Sequence, residues 1–296
     1  MDIDWEGLYK KVKVFRFKSL LIPLAVFLIL LAIFYFVWVL ILNQIRDDQQ
    51  KKFDNQINRI TDLVSEKNRD SASSIYGVQG FFEGSTKVTP TEFLSYSHDL
   101  RLSNEFFCLA GVGYIKKASQ SDLAVTQLEI NQYLSAAGQT DKNIKISYQD
   151  GKKIHYIVKY FYPTEYATLW IGQDYSSDPQ QAEALSQATD SGKVSQTPIL
   201  KSPQNGSPRY DLVAPIYNSE IQPTSTQDRQ NKLRGYSFIS FNANDCISAI
   251  ASQTFSAGVS FNFSDITQDP NSKPFASVGS VSNIQGGFYE EKTLEL

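Results

Sequence analysis

Two histidines, His98 and His155, and two cysteines, Cys108 and Cys246, are the residues best suited to nucleophilic or metal chemistry. Either type needs an oriented partner to do it, and no HExxH, GxSxG or Cys/His metal spacing supplies one. The acids Glu129, Asp174, Asp178 and Glu183 could serve acid–base work, but nothing in their spacing marks a dyad. The residues therefore give no catalytic group, no metal site and no cofactor motif, and the chain reads as a non-enzyme.

Recognition is the chemistry that remains. In "TLWIGQDYSSDPQQAEALSQATDSGK", Thr168 to Lys193, a short aromatic strand breaks at Gly172 and delivers Asp174 just before a polar helix. A strand end on a rigid scaffold is where a ligand-reading group is presented, and also where a helix cap sits. Ser177 or Asp178, next to Pro179, is better placed to cap that helix, which frees Asp174. Two roles stay open for it: an anchor for an amine, amide or N–H group of a ligand, or a brace for backbone amides. Tyr156, Tyr160 and Val213 are expected to form an apolar wall beside it.

These residues need a scaffold, and 296 residues, 42% hydrophobic and 20% charged, suffice for one or two cores. A net charge of -3 offers no basic face for phosphate, so nucleic acid is not an expected partner. Charge is unevenly placed, however. Lys10, Lys11, Lys13, Arg16 and Lys18 crowd the segment before Ser19 to Leu42, which has no charge at all. That run can cross a hydrocarbon core of roughly 30 Å, since about 20 helical residues suffice. It is too long for the core of a signal peptide and no small-x-small cleavage site follows it. The positive-inside rule puts residues 1–18 in the cytoplasm and everything after residue 42 outside. Outside, disulfides are permitted, but Cys108 and Cys246 each sit in apolar contexts, "EFFCLAGVGYI" and "NDCISAI". Two buried free thiols is the preferred reading; a bridge requires Cα atoms within about 7 Å.

Residues 43–84 read as a stalk helix in which Phe53, Ile57, Ile60, Val64, Val78 and Phe81 mark an interrupted seam. A loose homodimer and a helix packing its last turns on its own domain are both compatible with that stripe. Beyond Gly84, Thr89-Pro90 opens a helix, "FFCLAGVGYIKK" is a buried strand and "SQSDLAVTQLEINQYLSAAG" a helix closed by Gly138. Asp150-Gly151 is expected to turn a hairpin. After the helix near Pro179 come "VSQTPILK", an Asn-Gly loop and "RYDLVAPIYN". The polar "SEIQPTSTQDRQNKL" reads as a connector, and "RGYSFISFN", "ANDCISAIASQT", "GVSFNFSDI" and "KPFASVGS" together as a second small unit. The expected class is α+β, with a membrane-distal module over 85–222 and a membrane-proximal one over 223–296.

The order of membrane anchor, "GVQGFFEGSTKVTPTEFLSYS", "LAGVGYIKK", "IGQDYSSDPQQAEALSQATDSGKVSQTPI", "YDLVAPIYN" and "LRGYSFISFNANDCI" resembles the CHASE domain. This is the extracytoplasmic sensory domain of receptor histidine kinases and nucleotide cyclases, the plant cytokinin receptors among them. The resemblance implies a long helix carrying two tandem PAS-like modules, the distal one binding a small ligand, and a kinase or cyclase output beyond this chain. It also implies that Asp174 touches the ligand. Val213 stands where the plant receptors carry threonine and can neither donate nor accept a hydrogen bond, which weakens a plant-type adenine ligand. The rival reading is a membrane-anchored interaction protein of the cell envelope that works through its stalk.

Overall fold

The computed structural model describes residues 5–100, 108–139, 144–218, 221–254, 260–279 and 288–293, the side chains of 5–22 and 254 aside. They divide into two units, 1–58 with 286–290 and 59–285 with 291–296. A single helix, α1 (Trp5–Glu83), contributes to both.

In the first unit α1 carries an apolar window of mean hydropathy 3.0, none of it buried. Phe34 and Phe36 are 68% and 63% exposed. A segment so long and apolar, with its side chains pointing outward, fits a single membrane pass.

In the second unit the last turns of α1 pack on their own domain. Ile75, Val78 and Phe82 are buried, and the Phe82 ring stacks 4.5 Å from that of Tyr114. The helix ends at Glu83, and α2 (Pro90–Asp99) starts where its cap predicts, with Thr89 and Glu92 forming a capping box. Then come β1 (Leu109–Ser119), α3 (Leu123–Ala136), β2 (Ile154–Tyr162), the single turn α4 (Ala167–Trp170) and α5 (Pro179–Ser191). The chain continues through β3 (Ser195–Gln196), β4 (Leu200–Lys201), β5 (Pro208–Tyr217), α6 (Thr226–Lys232), β6 (Leu233–Asn242), α7 (Ala243–Thr254), β7 (Phe261–Phe263) and β8 (Ala276–Val278).

One six-stranded sheet has the order β2-β1-β6-β5-β3, with β4 also on β5, and every pair is antiparallel. The division expected at 222/223 is thereby corrected. Strand β6, expected to open a second module, lies between β1 and β5 in the middle of this sheet. Its run from Gly235 to Phe241 is buried throughout, as a central strand covered on both faces requires. Beyond α7, β7 and β8 pair with each other alone among the described residues. Two further expectations change. Asp150-Gly151 does turn, with Gly151 at φ 91°, but β2 pairs with β1 instead of with residues 144–149. Part of the expected connector is the helix α6, which Ser225 caps.

The cysteines are bridged, with Cα atoms 4.8 Å apart, so the free-thiol reading is also corrected. Asn242 N–H donates to Cys108 O at 2.8 Å. The end of β6 thus meets the entry to β1, and α7, which carries Cys246, begins at the next residue. Pairing of strands distant in the chain brings together cysteines 138 residues apart.

A β-bulge decides which side chains share a face. Tyr114 pairs with Tyr160 but Ile115 pairs with Val158, leaving Lys159 as the extra residue of β2. One face meets α1, α2 and α3, and there Tyr160 lies 5.0 Å from Phe93 and 5.1 Å from Tyr133 between ring centres. The other face meets α4 and α5, and there Phe161 stacks on Trp170 at 4.7 Å. Close packing there requires Gly113, where an added Cβ would lie 2.3 Å from the Phe238 ring.

Candidate functional site

Asp174 lies at the end of a short segment zipped along β2. Gly172 N–H donates to Val158 O and Val158 N–H to Gln173 O, both at 2.9 Å, and Asp174 itself bridges to Ile157. Gly172 is at φ 82°, and a Cβ there would meet Lys145 O at 3.1 Å, so glycine is the residue that allows this bend. The carboxylate is then enclosed. Its Oδ1 accepts from Tyr156 N–H at 3.0 Å, Ser176 N–H at 2.9 Å and Ser176 Oγ–H at 2.7 Å. Its Oδ2 accepts from His155 Nδ1–H at 2.8 Å.

Both side chains of the His155–Asp174 pair are 0% exposed, and the second ring nitrogen faces the side-chain amide of Gln120 at 2.8 Å. Burial pushes the Asp174 carboxyl up, but the bonds from His155, Ser176 and Tyr156 outweigh it and hold the group below its ordinary value. Both of its oxygens have donors from within the chain, three on Oδ1 and one on Oδ2. Asp178, not Asp174, caps α5, accepting from Gln180 N–H and Gln181 N–H.

The four residues expected around a ligand do not form one wall. Val213 and Tyr156 lie on the α5 side, Val213 opposite Phe238 and Tyr156 against Tyr236 at 5.5 Å between rings. Tyr160 lies on the opposite face, its hydroxyl donating to Val88 O at 2.9 Å. The bulge at Lys159 is the reason, since one extra residue reverses the alternation that would have put Tyr156 and Tyr160 side by side. Asp174 stands at the sheet edge beside β2.

On the α5 side the charged groups are others. Asp211, 0% exposed, shares the face of Val213 two residues away on β5. Its Oδ2 accepts from Tyr175 O–H at 3.1 Å and from Arg209 Nη1–H. Arg209, 4% exposed, also donates from Nε to Lys201 O at 3.1 Å and lies 4.5 Å from the centre of the Trp170 ring. Burial works against the Arg209 cation, and Asp211 and Tyr175 more than restore it; burial pushes the Tyr175 phenol well up. The other Asp211 oxygen, Oδ1, is buried with no hydrogen-bond partner among the described residues, and so is the hydroxyl of Ser240, its direct partner on β6. Arg209 also lines a cleft of about 480 Å³ between α5 and β4. The signal for this cluster was present in "RYDLVAPIY", where two opposite charges two residues apart fall on one face of an otherwise apolar strand.

The remaining reactive types are held elsewhere. Glu129 accepts from Lys116 at 2.6 Å and pairs with Lys159 at 3.2 Å, Glu183 accepts from Gln187, and His98 is exposed beside Asp99.

A family model described as the CHASE domain matches residues 86–275, more than half of the chain and all of the six-stranded sheet. No curated protein matches the chain.

Proposed function

The chain belongs to the CHASE-domain family, whose domain is a sensory input region of signalling receptors, and on that premise we propose that it binds a small ligand outside the cell and passes the event to the membrane. The ligand belongs on the α5 side of the sheet, with Val213 and Tyr156 in its surroundings. Asp174 holds the edge of that site through His155 and Tyr156, and Tyr160 supports it from the far face. The output is a histidine kinase or cyclase on a connected segment or partner.

One observation carries this reading: the two central strands hold the last turn of α1 directly. Gln79 Nε2–H, on a 9% exposed side chain, donates to Pro215 O of β5 at 2.7 Å. From β6, Arg234 donates to Phe82 O at 2.6 Å, a carbonyl that a helix end leaves open, and to Ser85 O at 2.8 Å just past the helix. Any change in the packing of β5 and β6 therefore pulls on the helix that carries the membrane-spanning run. Ligand would shift the population between two such packings.

The test is hydrogen exchange on the full chain in lipid discs, challenged with fractions of a small-molecule extract. A ligand should slow exchange in β5 and β6 together with Ile75 to Glu83; protection of the sheet alone would refute transmission through α1. Orientation is tested by a cysteine at Tyr76, 51% exposed, which an impermeant maleimide should label in intact cells. A homodimer through Phe53, Ile57 and Val64 is part of the proposal. Ile57→Asp should abolish it in sedimentation.

A further inference from the structure

We propose that the cleft beside Arg209 is a carboxylate-binding subsite, and that the bound anion draws the Arg209 guanidinium away from Asp211. This rests on the sensory reading above and names the ligand chemistry of the same sheet.

The cleft is lined by Gln173, Gln181, Lys201 and Arg209, and by one acid, Asp178. The oxygen of Asp178 that caps α5 already takes two backbone amides. Lys201, on the exposed rim, and Arg209, on the buried wall, set two positive charges against Asp178 in the lining and Asp211 behind it, and the glutamine amides add neutral donors. A guanidinium is the group that reads a carboxylate with a planar pair of N–H bonds. This one is oriented in advance by Lys201 O and the face of Trp170.

What sets the site apart lies behind Arg209. Asp211 has two donors on Oδ2 and none on Oδ1 among the described residues. Directly across the β5–β6 pair stands Ser240, its buried hydroxyl unpartnered too. Buried polar groups left unpaired cost free energy. Here the two belong to directly paired residues on one face of the sheet, and Arg209 holds the carboxylate by its other oxygen. An anion from the cleft neutralises Arg209 in place of Asp211, and Asp211 then accepts the Ser240 O–H. In one packing Arg209 pairs with Asp211; in the other Arg209 pairs with ligand and Asp211 with Ser240. The exchange adds a side-chain bond between the two strands that hold the end of α1.

Trp170 reports the exchange. In the full chain carrying Trp5→Phe and Trp38→Phe, the two other tryptophans, succinate is titrated against chloride at constant ionic strength in phosphatidylcholine discs and Trp170 fluorescence is read. A saturable change is expected. Arg209→Lys should weaken binding about tenfold or more, and Asp211→Asn should tighten it about tenfold, because the internal competitor is weakened. Lys201→Ala, at the exposed rim, should weaken binding without touching the fold, which keeps the test open if Arg209→Lys does not fold. No saturable response, or an Asp211→Asn protein that folds and binds more weakly, overturns the proposal; equal affinity for inorganic phosphate overturns the carboxylate class. Succinate binding that leaves exchange at Ile75 to Glu83 unchanged counts against transmission and leaves the subsite standing.

Discussion

Asp174 and Asp211 are two buried carboxylates of one domain with different surroundings. Around Asp174, donors from β2 and the following turn reach both oxygens, four bonds in all. Around Asp211, two donors crowd one oxygen and the other has none among the described residues. Burying a carboxylate is costly, and the cost is offset only when its hydrogen-bonding capacity is used. The first site is finished and has one stable arrangement. The second has a partner in waiting, and so has two. For a sensor, the finished carboxylate belongs to the frame and the unfinished one to the moving part.

The largest expected effect breaks the first site. Asp174→Ala strands His155 and two backbone amides, and removal of one partner of a buried pair costs about 3–5 kcal/mol. Thermal unfolding of the full chain should show it as a large fall in Tm. Asp211→Asn keeps the shape but leaves the buried Arg209 cation without its charge partner, so it falls at the low end of the same range, about 3 kcal/mol. Equal losses at the two positions would erase the distinction.

Next in size is the acid response. The folded-state pKa of Asp174 is lowered, so its contribution is complete above the ordinary carboxylate value of about 3.9 and disappears as pH falls through the lower folded value. Asp174→Asn should therefore lower Tm at neutral pH and flatten its decline in acid. A decline as steep as that of the unaltered protein would mean that other carboxylates govern it.

The smallest effect separates the faces. Tyr160→Phe and Tyr175→Phe each remove one buried hydroxyl bond, worth about 1 kcal/mol. Only Tyr175→Phe should alter the affinity for succinate, because its hydroxyl alone touches Asp211. A matching change in Tyr160→Phe would show that the faces are not independent.

Features set by neighbouring residues were legible in the sequence. The cap at Thr89, the choice between Ser177 and Asp178 for the cap of α5, the C-terminal end of α1 and the membrane run are all set within short stretches of sequence. Features set by distant pairing were not. The polar stretch before β6 looks like a linker because its solvated residues carry no record of the strand pairing on either side of it. The bulge at Lys159 has no local mark, so Tyr156 and Tyr160 looked like neighbours on one face. Asp174 was expected at the end of an aromatic strand, but the residues before Gly172 form the helical turn α4, and Asp174 makes only an isolated bridge to Ile157. Its hydrogen bonds depend on His155, 19 residues away, and on a register that only the folded sheet defines.

The bridge between Cys108 and Cys246 encloses nearly the whole sheet within one covalent ring. The exposed tip of the β4–β5 hairpin, Gln204 to Gly206, lies inside that ring and is the kind of site proteases cut first. A single cut there would release nothing. The chain should migrate as one band until a reductant is added and as two afterwards, so a receptor nicked in a protease-rich environment would keep its sensor joined to its anchor.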